Sequence, residues 1–210
     1  MRTIFLDAGH GGIRPTTGEY VTPGKGFKHT KGDFHNKTWF YEGVFNRQMA
    51  RRIAGYLREA EVPFENVYHT WQDTTLKERV KLANNHHRLI RKGIYVSLHA
   101  NAASKERAGK ARGFEIFTSP GRTASDVIAE DIFLAVRDEF KGSIMRADRA
   151  DGDHDKEANF YVLKWTSFPA VLIEFGFFDN YQDAIMMNDE VWQDDMAKII
   201  ADVLIKHAKK

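Results

Sequence analysis

The sequence predicts an α/β fold: a single twisted, mostly parallel (mixed) sheet flanked by helices on both faces. Short β-branched runs alternate with stretches of helical period along the chain, which is the pattern of βα units. The runs near residues 3, 94 and 170 are apolar throughout rather than alternating, as in strands covered on both sides. With 210 residues, 42% of them apolar, the chain can fill one core of this size, and residues 1–210 are expected to form one domain.

Thr3 to Leu6 reads as the first buried strand, ended by Gly9, Gly11 and Gly12. From Ile13 to about Trp39 the sequence is rich in Gly, Lys, Thr and His without periodicity, so a large loop over the mouth of the fold is expected. Phe45, Met49, Ile53, Tyr56 and Leu57 make Tyr41 to Ala60 an amphipathic helix, with Arg47, Arg51, Arg52 and Arg58 on its outer face and Pro63 past its end. A strand near Phe64 to His69 leads to TLKE (Thr75 to Glu78). That stretch has the form of a capping box and starts a helix with Leu76, Val80, Ala83, His87 and Ile90 on one stripe. IYVSLHAN and RGFEIFTS are the next strands, the second alternating Phe114, Ile116 and Thr118 with Glu115 and Phe117. Ser125 to Phe140 reads as a helix, and PAVLIEFGF (Pro169 to Phe177) begins with a buried strand. Val191 to Lys209 is a closing helix, and the basic residues Lys206, His207, Lys209 and Lys210 suit the negative end of its dipole.

Composition removes several classes of function. The 31 basic and 29 acidic residues give a formal charge of +2, too balanced for nucleic acid to be the main partner. There is no cysteine, so disulfides, thiolate nucleophiles and Cys-based zinc sites are excluded, and any metal must be held by His and carboxylate. No apolar run approaches the ~18 residues that span a bilayer. The N-terminus enters a strand directly, so no export signal is expected in this chain.

In open α/β sheets ligands gather beyond the carboxyl ends of the strands. His10 follows the first predicted strand, His99 follows IYVSL and Glu174 follows AVLI, while Glu42 starts the first long helix. Two His and one Glu make a three-ligand zinc site with an open position, leaving a second Glu for proton chemistry. On this reading Gly9, Gly11 and Gly12 let the backbone turn so that His10 faces the metal, and Asp7 is a candidate partner for the His10 ring. Asn101 and Arg79 are candidates for supporting or substrate contacts, with helix capping or surface solvation as the alternative.

The fragments IFLDAGHGG, YEGVFN (Tyr41 to Asn46), LKERVKLAN, SLHAN (Ser97 to Asn101) and NFYVLKWTSFPAVLIEFGFFDN (Asn159 to Asn180) resemble, in order and over nearly the whole chain, the zinc-dependent N-acetylmuramoyl-L-alanine amidases of the amidase 3 type. The resemblance implies Zn2+ held by His10, Glu42 and His99, with Glu174 as the catalytic glutamate. It also implies hydrolysis of the amide between N-acetylmuramic acid and L-alanine in peptidoglycan, by a monomer acting on the cell wall as a phage endolysin or autolysin catalytic domain. The chain departs from the commonest family pattern in the insertion from His10 to Trp39 and in RADRADGDHDKEANF, both expected to border the cleft.

Other motifs compete with this reading. HDKE (His154 to Glu157) has the H-x-x-E spacing of zinc carboxypeptidases but lacks a third ligand, since the only later His is His207; a solvated acidic loop is expected there. Asp151, Asp153 and Asp155 imitate a calcium loop without its glycine or its final Glu. The adjacent His86 and His87 lie on different helix faces and cannot pair on a metal. His29 and His35 sit among Lys25, Lys28, Lys31 and Lys37, a loop expected to be exposed with some attraction for acidic stem-peptide carboxylates. Trp39, Trp71, Trp165 and Trp192 are expected in core or rim packing, with sugar stacking as the alternative.

Overall fold

The computed structural model describes residues 1–90, 92–150 and 152–210, with the side chains of residues 87–90 left aside. The readings of His87, Ile90 and Asp151 therefore lie outside the described residues. In chain order the elements are β1 (Thr3–Ala8), β2 (Gly26–Lys28), β3 (Trp39–Tyr41), α1 (Glu42–Glu59), β4 (Phe64–Asn66), α2 (Leu76–Ile90), β5 (Gly93–Asn101), β6 (Glu115–Thr118), α3 (Ala124–Glu139), β7 (Lys156–Glu157), α4 (Tyr161–Trp165), β8 (Ala170–Phe177), α5 (Tyr181–Asn188) and α6 (Glu190–Lys209). Six strands form one sheet in the order β4-β1-β5-β8-β6-β7, and β2 and β3 form a separate antiparallel pair.

The sheet is mixed, as expected. β4, β1, β5 and β8 run parallel, and β6 lies antiparallel to β8. No α-helix lies between β5 and β6, only a loop with a 3-10 turn at Lys105–Arg107. A parallel return would need a crossover to carry the chain back to the far end of the sheet, so this strand comes back in the opposite sense.

Side-chain alternation divides the interior. Ile4 and Leu6 of β1, Val96 and Leu98 of β5 and Ile173 of β8 join α1, α3 and α6 in the larger core. Phe5, Tyr95 and Leu172 face the other way, toward Val80 and Ala83 of α2 and Val162 and Leu163 of α4. Helices therefore cover both faces. The Thr75–Glu78 capping box forms reciprocally, Thr75 N donating to Glu78 Oε2 (3.2 Å) and Glu78 N to Thr75 Oγ1 (3.3 Å).

Several expectations are corrected here. The segment from Ile13 to Trp39 is not a featureless loop: it holds a 3-10 turn (Pro23–Lys25) and the β2–β3 pair. His29 is buried, its Nε2 3.0 Å from the Phe178 carbonyl, because the insertion folds back onto the end of β8. Arg47 is buried rather than on the outer face of α1, and Leu76 is exposed rather than part of the α2 stripe. The HDKE segment is not a solvated loop. His154 pairs with Glu130 at 2.8 Å and stacks on Phe133, Asp155 is buried on the Thr118 hydroxyl, and Lys156 and Glu157 form the edge strand β7. His86 packs edge-on against Phe5. The short elements β7, α4 and α5 have too few residues to carry a readable period.

Candidate active site

The site grows out of sheet register. His99 of β5 and Glu174 of β8 are direct cross-strand partners, and Glu115 of the antiparallel β6 faces Glu174 from the other side. Glu174 is not at the end of its strand, because β8 continues to Phe177. It lies instead on the α2 and α4 side of the sheet, as Leu172 does. Glu42 is the first residue of α1, whose N-terminus arrives at the same end of the sheet.

These elements bring three of the expected residues together. Glu42 Oε1 lies 2.9 Å from His99 Nδ1 and 3.3 Å from His10 Nε2, and one ligand atom from each of the three falls within 4.8 Å of the others. His10, Glu42, His99 and Glu174 line one cavity of about 280 Å³ together with Lys25 and Leu76. The expected set thus converges; Asn101, a candidate from the sequence, lines the same cavity, and so do Lys25 and Leu76, which the sequence reading places elsewhere.

The geometry of the His10 turn differs from the expectation. His10 itself has the left-handed backbone (φ 62), while Gly9, Gly11 and Gly12 do not. Gly9 serves close approach instead: a Cβ there would stand 2.1 Å from Cε1 of the His99 ring. The costly conformation of His10 is held through its carbonyl, which accepts from Arg47 Nη2 (2.9 Å) and Arg79 Nη2 (3.1 Å). Arg47 also donates to the carbonyls of Gly43, His69 and Thr70, all within 2.9 Å. Asp7 does not orient the His10 ring. Its carboxylate is taken up by Arg79, the Tyr95 hydroxyl (2.8 Å) and the Ser97 hydroxyl (2.8 Å). Arg79 therefore acts on the backbone of the site, from full burial, and not on a ligand in the cleft.

Electrostatics separate the two glutamates. Burial works against ionisation of Glu42, but hydrogen bonds and charge from His10 and His99 override it and hold its carboxyl well below the ordinary range. Burial pushes Glu174 up to about 8, with Glu42 and Glu115 adding to the rise against the opposing charges of His99 and Lys25. His99 is raised: burial opposes protonation, and Glu42, Glu174 and Asp7 outweigh it. Glu115 is balanced by Arg146 Nε (2.6 Å) and by Lys156, so the departing segment before β8 serves the site from one residue away. Asn101 spends its side chain on Ala102 N and Glu115.

The insertion is tied to this centre at both ends of a strap. Gly11 N donates to Thr22 Oγ1 (3.0 Å), which donates to Asp73 Oδ2 (2.8 Å). Gly43 N donates to Tyr20 Oη (2.9 Å), and Tyr20 Oη donates to the Lys25 carbonyl (3.0 Å). Lys25 Nζ then stands 3.7 Å from Glu42 Oε2. By sequence Lys25 groups with the exposed loop lysines, and the Pro-Gly pair directly before it is its one local signal.

The fold and this cluster define an α/β enzyme domain, with a His-Glu-His group able to hold a metal and a buried carboxylate beside it. The model of the N-acetylmuramoyl-L-alanine amidase family matches residues 4–206, and the chain belongs to that family. CwlM, an N-acetylmuramoyl-L-alanine amidase of Bacillus licheniformis, is 31% identical over 209 residues, covering 94% of this chain and 65% of CwlM. The uncharacterized protein YqiI of Bacillus subtilis is 25% identical over 205 residues, covering 95% of this chain and 81% of YqiI. An N-acetylmuramoyl-L-alanine amidase structure from Clostridium difficile 630 superposes with a TM-score of 0.73 at 26% identity, covering 100% of this chain and 97% of that one.

Proposed function

We propose that this chain hydrolyses the amide between N-acetylmuramic acid and L-alanine of peptidoglycan, using zinc held by His10, Glu42 and His99 and Glu174 as its catalytic acid–base. The observation that carries the reading is the buried Glu174 sharing a cavity with the His-Glu-His group. Two nitrogens and a carboxylate oxygen are a donor set that zinc takes up, and the spacings of 2.9 and 3.3 Å are close to those between ligands around one tetrahedral ion, roughly 3.4 Å for bonds of ~2.0–2.1 Å. Glu42 Oε2 and Glu174 Oε2 are buried without a hydrogen-bond partner, as oxygens facing a bound group and a reacting water would be.

Zinc in such a set supplies a nucleophilic water near neutral pH and polarises the amide carbonyl. Glu174 takes the proton of the attacking water and returns it to the nitrogen of L-alanine as the C–N bond breaks. Burial raises the Glu174 carboxyl and the positive charge of a bound metal would oppose that rise, a balance suited to taking a proton and giving it back near working pH. Glu42 stays ionised throughout, because the two imidazoles hold its carboxyl low.

Digestion of purified peptidoglycan, followed by mass analysis of the soluble products, tests the reading. Stem peptides with an L-alanine amino terminus are expected, and a chelator should abolish their release. Undiminished release with the metal stripped would reject the zinc site. Liberation of amino acids from free stem peptides, with the muramoyl amide intact, would reject the amidase assignment in favour of a peptidase.

A further inference from the structure

We propose that Lys25 is a second electrophile of this site, its ammonium receiving the negative charge that develops on the amide oxygen during hydrolysis; the proposal rests on the amidase reading above. Among the described residues lining the cavity, Lys25 is the only Lys or Arg. Its Nζ is 3.7 Å from Glu42 Oε2, longer than a hydrogen bond, and Glu42 Oε2 has no hydrogen-bond partner. The ammonium is thus near the cluster without being locked onto it, and with 45% of the side chain exposed its donors can turn into the cavity.

The position of Lys25 is fixed by more than its own side chain. The strap that carries it is bonded to Gly11, next to His10, and to Gly43, next to Glu42. The Lys25 carbonyl is held by Tyr20 Oη and its N–H by the Thr22 carbonyl (2.8 Å). These four ties fix the turn that carries Lys25 beside the cluster, whereas Lys28, three residues on, is exposed, pairs with Trp39 through β2 and β3, and does not line the cavity. Preorganised positive charge at the developing oxyanion is the kind of help that lowers a barrier most.

The chemistry balances without any proton from Lys25. Water oxygen bonds to the carbonyl carbon, the carbonyl π pair moves onto its oxygen beside the Lys25 ammonium, and the water proton goes to Glu174. When the tetrahedral centre collapses, that pair re-forms the carbonyl, the C–N bond breaks, and Glu174 protonates the departing amine.

The test uses Lys25→Met and, as a charge-matched control outside the cavity, Lys28→Met, on a soluble muramoyl peptide with zinc supplied. Lys25→Met should lower kcat roughly 10²-fold with little change in KM, while Lys28→Met stays at the wild-type rate. Two measurements besides turnover go with it. In competition with a chromophoric chelator, Lys25→Met should bind zinc as tightly as wild type or more tightly, since a like charge has been removed. In calorimetry, an anionic tetrahedral phosphinate analogue should bind Lys25→Met more weakly by about the factor lost in kcat/KM. Unchanged kcat, a rise in KM alone, or weakened zinc binding in Lys25→Met would each overturn the proposal. A wild-type chain that leaves the muramoyl amide intact would overturn the amidase reading, and this role with it.

Discussion

Gly9→Ala isolates the geometry of the site from its chemistry. The backbone at Gly9 is not left-handed, so alanine can adopt it, and the three atoms nearest the added methyl all belong to the His99 ring, at 2.1, 2.4 and 2.6 Å for Cε1, Nε2 and Nδ1. Ordinary contact begins near 3.4 Å, so the ring must recede by about 1.3 Å. His99 Nδ1 now stands 2.9 Å from Glu42 Oε1, and a retreat of that size breaks their contact and carries one of the three donors out of a common coordination sphere. Displacing a ligand this far should weaken zinc binding by about 10²-fold, toward the upper end of what loss of ligand orientation costs. Turnover should fall by a similar factor, as misplacements of ~1 Å do. The assay is zinc competition against a chromophoric chelator, run beside circular dichroism to show that the sheet is intact. Wild-type zinc affinity in a folded Gly9→Ala chain would refute the reasoning, because the ring would then have room the structure denies it.

Three further outcomes follow from the same geometry. Glu174→Gln should take up zinc at wild-type stoichiometry while turnover falls ~10²- to 10⁴-fold, measured by metal analysis and product release; near-normal turnover would remove Glu174 from proton transfer. Arg47→Met leaves the carbonyls of His69 and Thr70 without their side-chain donor and the His10 carbonyl with Arg79 alone, at ~1–3 kcal/mol for each acceptor that stays dry, so urea unfolding should show a loss of about 2 kcal/mol or more. A loss under ~1 kcal/mol would mean that water serves these acceptors. Burial, with Asp153 adding to it, pushes Asp155 up to about 7 from an ordinary value of 3.8, so between those values the folded chain keeps a proton that the unfolded chain gives up. Stability from that proton is complete below about pH 4 and is lost as pH rises through about 7. Asp155→Asn stays neutral, so it should melt above wild type near pH 8 and close to it near pH 4; a gap independent of pH would count against the burial of an ionised carboxylate.

The strands and long helices were legible because each carries a period over enough residues: β1, β5 and β8 as continuous apolar runs, α1 and α6 as stripes, α2 through its capping box. His10, His99 and Glu174 stand out as polar residues that interrupt or end such runs, and Glu42 as the first residue of a long helix; the structure brings all four to one cavity, and their roles rest on the family resemblance. What stayed hidden has a common cause. Arg47 lies on the polar side of α1 by helical phase, and only the fold reveals that carbonyls from residues 10, 43, 69 and 70 converge on that side. Lys25, His29 and the β2–β3 pair belong to a segment whose order comes from long-range ties to Gly11, Gly43 and Phe178, which no local pattern encodes. Asp7 looked like a ring partner because it is three residues from His10, but strand alternation turns it toward Tyr95 and Ser97.

The two guanidiniums that meet at the His10 carbonyl come from opposite sides of the sheet, Arg47 from α1 in the larger core and Arg79 from α2 across the strands. Both layers must therefore be docked before the histidine takes up its bearing, so competence for cation capture is a property of the finished sandwich. If the His-Glu-His group holds zinc as proposed, a zinc titration on this chain should read out completed assembly: a partly denatured sample should lose its binding stoichiometry in step with its tertiary packing, rather than after it.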